Sequence, residues 1–155
     1  MTDISTEASR AQKIAQFLTD EGFHPVIEDG DVSFKYEGRR FFIVIDEKDA
    51  EYYRVMRFNF WPIESEEERL VVNAAAGAVS RGTKCVKVFP VDDDVSASVD
   101  ILAHDVDALL KELLRAIELC SARVERFPEA VARATEEAKD DDDTVEESEG
   151  TTPSH

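Results

Sequence analysis

The sequence predicts an α+β domain: an antiparallel sheet with packed helices, in the order α-β-β-β-β-α-β-β-α. Three observations carry this expectation. Val32, Phe34 and Tyr36, and later Val95, Ala97, Val99 and Ile101, alternate with polar residues, which is the period of a strand with one covered face. Two other stretches space their apolar residues by three and four, the period of a helix laid on a core. Asp29-Gly30 and Glu37-Gly38 fall between the early apolar runs, and such pairs suit two-residue hairpin turns, whose central positions need positive φ.

The first helix is expected over about Ser5 to Glu21. Ala8, Ala11, Ala15 and Leu18 form its stripe, widened by Ile14 and Phe17. Gly22 stops it, because glycine takes a left-handed cap cheaply, and Phe23 would then fold back onto it. A meander follows. His24 to Glu28 is a short first strand and Val32 to Tyr36 the second. Arg39 to Asp46 is the third, and its unbroken run Phe41 to Ile45 suggests a central strand covered on both faces. After the polar stretch Glu47 to Glu51, Tyr52 to Trp61 is an aromatic-rich fourth strand, ended by Pro62, which cannot donate to a ladder.

Ser65-Glu66-Glu67-Glu68 opens a helix as a capping box, with the serine oxygen accepting an early N–H and Glu68 reaching back. That helix runs to about Ser80, and its alanines suit close packing. Lys84 to Val91 and Val95 to Ala103 are the fifth and sixth strands, joined by a turn at Asp92-Asp93-Asp94. Asp105 can cap the last helix, expected from about Val106 to Phe127. Val106, Leu110, Leu113, Ile117, Cys120, Val124 and Phe127 form its apolar seam, which suits either the domain's own sheet or a twin helix.

At 155 residues the chain fits one domain, placed over 1–138. From Lys139 to His155 one basic residue stands against seven acidic ones, with Val145 the only large apolar group. Such a segment buries too little surface to order itself by packing and reads as a disordered acidic tail. The whole chain carries a formal net charge of −17, which opposes phosphate backbones and anionic membranes. A protein partner or extended peptide segment, preferably basic, suits that field better. No apolar run approaches the ~18 residues of a membrane span, and Met1 to Ser5 lacks the pattern of a secretory signal. Cys85 and Cys120 stand far apart and read as free buried thiols, which points to the cytoplasm.

Several segments together resemble the YbjN family, whose domain is similar to type III secretion chaperones. They are the amphipathic first helix leading to Val32-Ser33-Phe34-Lys35-Tyr36, the segment Val71-Val72-Asn73-Ala74-Ala75, and Arg81-Gly82-Thr83-Lys84 entering the fifth strand. Val86-Lys87-Val88-Phe89 then leads to an acidic turn, a strand and a long closing helix. The resemblance covers about residues 5 to 130, and the glycine-free turn at Asp92-Asp93-Asp94 departs from the family pattern. It implies helices packed on an antiparallel sheet, frequent dimerisation, and a chaperone-like or regulatory role without catalysis.

Candidate chemistry is sparse. His24 with Glu28, and His104 with Asp105, read as surface pairs, and His155 stands in the tail. Three scattered histidines and two lone cysteines lack the spacing of a zinc site, and Asp92-Asp93-Asp94 lacks the ligand spacing of a calcium loop. No glycine-rich phosphate loop or nucleophile elbow is present, so no cofactor is expected. The fourth strand is the candidate protein-binding surface. Its two faces are Tyr53, Val55, Arg57, Asn59 and Trp61 on one side, and Tyr52, Arg54, Met56, Phe58 and Phe60 on the other. The first set, with Tyr53, Val55, Arg57 and Trp61 as contact residues, is expected to be the exposed one, because Arg57 and Asn59 are polar. The functional expectation is a non-enzymatic protein-binding domain acting as a homodimer; the alternative is a small-ligand sensor or an enzyme of unrecognised type.

Overall fold

The structure, a computed structural model, describes the backbone of residues 2–150 and the side chains of residues 10–142. Its elements are α1 (Thr2–Asp20), β1 (Val26–Glu28), β2 (Asp31–Tyr36), β3 (Arg39–Ile45), β4 (Tyr52–Arg57), α2 (Glu66–Arg81), β5 (Val86–Val91), β6 (Asp94–Leu102), α3 (Val106–Glu125) and α4 (Phe127–Gly150). The fold class is α+β, as the alternation and helical periods predict.

One antiparallel sheet of six strands runs in the order β1-β2-β3-β4-β6-β5. Its register lines up a row of β-branched residues across all six strands: Ile27 opposite Val32, Val32 opposite Ile43, Ile43 opposite Val55, Val55 opposite Val99, and Val99 opposite Val86. A slip of one residue in any strand would throw its member of the row to the other face, so the row fixes the register. The five members inside the edge strand β1 are buried, while Ile27 is half open.

The hairpins form where the sequence places them. Asp29 and Gly30 have φ of 51° and 84°, and Glu37 and Gly38 of 51° and 78°. Gly22, at φ 98°, ends α1 in a Schellman arrangement: its N–H donates to the Thr19 carbonyl, and the Phe23 N–H donates to the Leu18 carbonyl at 2.9 Å. Phe23 folds back to meet Phe34 edge-on, with ring centroids 5.6 Å apart.

The seam of α3 lies on the domain's own sheet. Leu113, Ile117 and Cys120 of that seam are buried over the inner face, joined by Leu109 where the half-buried Leu110 was expected, with Ile14 and Leu18 of α1 beside them. Asp105 caps α3 by accepting from the Ala108 N–H at 2.8 Å. Ser65 caps α2 by accepting from the Glu68 N–H at 3.0 Å; Glu68 reaches back one residue beyond the expected box, to the Glu64 N–H. Helix α2 closes the β5 edge. The Ser80 hydroxyl donates to the Val88 carbonyl at 3.1 Å and accepts from the Val88 N–H at 2.9 Å.

Three expectations are corrected. The single closing helix is two, broken at Arg126 and restarted at Phe127-Pro128, because proline fits a first helical turn but not an interior one. Strand β3 is central but covered by helices on one face only; Phe42 and Val44 on its other face are half-buried by their neighbours. Cys120 is buried as expected, but Cys85 is exposed.

Helix α4 packs on α2 and continues through Lys139 to Gly150, while residues 151–155, His155 among them, lie outside the described residues. Low apolar content argues against burial, not against helix. Once packing has nucleated a helix, each further residue adds a hydrogen bond at small cost, and no proline or glycine interrupts residues 129–149.

Candidate functional site

The two faces of β4 are assigned opposite to the sequence expectation. Tyr53 and Val55 are fully buried beneath the helices. The outward face carries Tyr52, Arg54, Met56 and, just beyond the strand, Phe58. Apolar bulk decided this: Tyr53 and Val55 share a face with Ile43, Ile45, Val99 and Ile101, and that shared face meets α3. Arg57 and Asn59 at its end misled, because they lie where the sheet's inner face meets solvent.

The regular alternation ends at Arg57, not at Trp61. Asn59 takes φ of 50°, a left-handed conformation that asparagine tolerates better than most residues. The chain then follows the start of β6 through irregular bonds. The Asn59 N–H donates to the Ser96 hydroxyl, the Phe60 N–H to the Val95 carbonyl, and the Trp61 N–H to the Asp94 carboxylate. The left-handed residue cancels the strand period, so Phe60 and Trp61 both turn toward Phe127, each with its centroid 5.3 Å away.

Two surfaces result. The first is the outer face of the sheet, on which no helix packs among the described residues. Phe42 and Phe58 meet edge-on at 5.3 Å; across β6 from Met56 stands Lys87, with Phe89 and Val91 further along β5 opposite Ser96 and Asp94. Phe58 is 39% exposed and Val91 46%, with Phe42 and Phe89 half-buried and Met56 buried beside them, so the apolar patch opens to water at Phe58 and Val91. Small residues, Ser96 and Ser98, floor it. A groove of about 630 Å³ runs between Arg54, Met56 and Phe58 on one side and Phe89, Val91 and Asp92-Asp93-Asp94 on the other. Asp100 stands beside it, 3.3 Å from Arg54 and 3.0 Å from Lys87. Partial burial acts to raise its pKa, but hydrogen bonds and charge from Lys87 and Arg54 outweigh that and hold it below the ordinary carboxylate value.

The second surface is a pocket of about 410 Å³ where the inner face ends at the α3–α4 junction. Arg39 and Phe41 enter it from β3, Arg57 from β4, Trp61 from the irregular segment, and Ser121 and Glu125 from α3. Arg57 Nη1 donates to the Phe58 carbonyl at 3.1 Å. Its Nε, and the Trp61 indole Nε1, are buried without a hydrogen-bond partner. Burial, and then the like charge of Arg39, lower the pKa of Arg57 from its ordinary value. Behind it, burial pushes the Cys120 thiol up to about 12, against the pull of Arg57, so this sulfur stays protonated and inert.

Of the four residues singled out in the fourth strand, the fold therefore brings Arg57 and Trp61 together in a pocket and sends Tyr53 and Val55 into the core. Reading the sequence missed Arg39 and Ser121, which join them only through the sheet register and the helix break; Phe127-Pro128 was the available signal for that break. It also missed Phe42, Phe89 and Val91, because outward positions on separate strands become one patch only once strand order is known.

The remaining candidates stay apart. His24 and Glu28 are exposed at the two ends of the first-strand segment, and His104 Nδ1 meets Glu51 at 3.3 Å in an exposed pair. Asp93 is held by Arg69 at 2.6 Å, and the Asp92 carbonyl accepts from the same guanidinium. Among the described residues no group of histidine, cysteine and carboxylate side chains is arranged to hold a metal, and no helix is long and apolar enough to cross a membrane. Comparison with known proteins gave no match: no family model fits the chain, and no curated protein or solved structure is significantly similar to it.

Proposed function

We propose that this chain is a non-enzymatic protein-binding domain, chaperone-like or regulatory, that works as a homodimer through the outer face of its sheet. The observation that carries the reading is the apolar patch of exposed Phe58 and Val91 with half-buried Phe42 and Phe89, on a face no helix covers among the described residues. Large exposed apolar patches mark association surfaces, and a sheet normally buries such a face. A second copy is the favoured occupant on charge grounds. The chain as a whole carries −17, yet this face presents Lys35, Arg40, Arg54 and Lys87 near Asp100 and the aspartates of the β5–β6 turn. In a two-fold contact, the basic part of one copy can meet the acidic turn of the other. The resemblance to the YbjN family points the same way.

The partner would be an extended segment that adds to the sheet at β1. The opposite edge is closed by Ser80, whereas β1 is open, with Val26 49% and Ile27 45% exposed. Strand addition supplies main-chain hydrogen bonds, and Glu28, Asp29 and Asp31 beside the edge favour basic residues in the incoming strand. An array of short peptides varying in charge and apolar content tests this. Segments combining lysine or arginine with β-branched residues should be retained, and a Val26→Lys/Ile27→Lys variant should lose them, because edge lysines block strand addition. Retention that ignores peptide charge, or that survives the double variant, contradicts the reading.

A further inference from the structure

We propose that the pocket at the α3–α4 junction binds a small organic acid: a single carboxylate carried on an aromatic or aliphatic body. The argument starts from orphaned donors. Buried N–H groups nearly always find an acceptor, and those that do not call for one. Here Arg57 and Trp61 both line the cavity, and Arg57 Nε and Trp61 Nε1 are buried without a partner, so a small shift of either side chain would present its N–H to an occupant. With Nη1 already bonded to the Phe58 carbonyl, the Nε edge of Arg57 is the part of its fork left for a ligand. A carboxylate is planar and offers two oxygens, so one can take the guanidinium and the other the indole N–H.

Charge fixes the valence. Arg39 and Arg57 contribute two positive charges and Glu125, exposed at the rim, one negative charge. Neither arginine has an ion-pair partner among the described residues. One unbalanced positive charge remains in a strongly acidic protein, and a monoanion neutralises it where a doubly charged phosphate would overshoot. An anion would also relieve the repulsion that Arg39 exerts on Arg57.

Walls and size fix the body. Phe41, Phe60, Trp61, Val124 and Pro128 present apolar surface around the donors, and about 410 Å³ falls within the usual range for small-molecule pockets. This pocket lies at the inner-face end of the sheet, away from the outer face and the β1 edge, so its occupant is independent of the protein partners proposed above.

Trp61 is the only tryptophan in the chain and reports on the site directly. The full chain should be titrated with 3-phenylpropionate, with its uncharged amide, and with a tripeptide ending in a free phenylalanine carboxylate, reading Trp61 emission and calorimetric heat. The acid should bind saturably and the amide should not. Binding by the tripeptide in place of the free acid would assign the same carboxylate site to a peptide terminus and overturn the small-molecule source. Arg57→Gln and the more exposed Arg39→Gln should each weaken binding by about tenfold or more, the scale of one charge-assisted hydrogen bond. Both variants should keep the wild-type molar mass and circular dichroism. No saturable response to either carboxylate, equal binding of the amide, or wild-type affinity in both variants overturns the proposal.

Discussion

Tyr53 lies at the centre of β4 with its whole side chain buried, and its hydroxyl has no hydrogen-bond partner. The Arg10 guanidinium sits 5.8 Å from the centre of its ring, and Arg10 Nη2 donates to the Asp46 carbonyl at 3.3 Å. Ring burial and the cation–π contact hold this residue, while the hydroxyl works against it, since a buried group without a partner costs about 1–3 kcal/mol. Tyr53→Phe should therefore leave stability unchanged or raise it by about 1 kcal/mol in urea unfolding, whereas Tyr53→Ala should lose about 3–5 kcal/mol. A loss above about 1 kcal/mol for the phenylalanine variant would show that the hydroxyl is bonded. Residues of this kind mark what could be read in the sequence and what could not. The alternation of Tyr53 and Val55 was legible, but which side of it faced the core depended on partners in β3 and β6. Asn59 hid more: one left-handed residue ends the period, and nothing in an aromatic-rich run announces that conformation.

At the scale of elements, local signals carried far. Glycine turns, the Ser65 and Asp105 caps and the Gly22 stop all lie within a few residues of the groups they bond, and each forms where the sequence places it. Signals that depend on distant packing did not carry. The closing helix reads as one seam because Val124 and Phe127 keep its spacing, although Pro128 begins a new helix that turns to meet α2. The acidic segment after Lys139 is too poor in apolar residues to bury itself, and α4 runs on through it to Gly150. The closing of the β5 edge is likewise invisible in the sequence, since Ser80 finds Val88 only through the α2–β5 contact. Ser80→Ala removes both bonds and leaves the Val88 N–H unpaired at a half-buried edge. A loss of about 1–3 kcal/mol is expected, with faster amide exchange at Val88. Unchanged exchange there would mean that water or another group replaces the serine.

At the scale of the whole molecule, a six-stranded sheet covered on one side leaves the other to account for. Aromatic residues on that side, an open edge at β1 and an edge at β5 bonded to Ser80 are the features on which the proposed association rests. The net charge of −17 favours basic partners and makes self-association costly except where cations gather, as they do on the outer face. Phe58 stands at the centre of this claim, because a glutamate there would place an unpaired charge inside the proposed contact without touching the core. The deciding measurement is molar mass by light scattering during gel filtration, on the wild-type chain and on Phe58→Glu. The account predicts a mass near twice the 17.4 kDa of one chain for the wild type and near 17.4 kDa for the variant. A wild type that stays at the mass of one chain at high concentration, or a pair that Phe58→Glu leaves intact, would contradict association through the outer face.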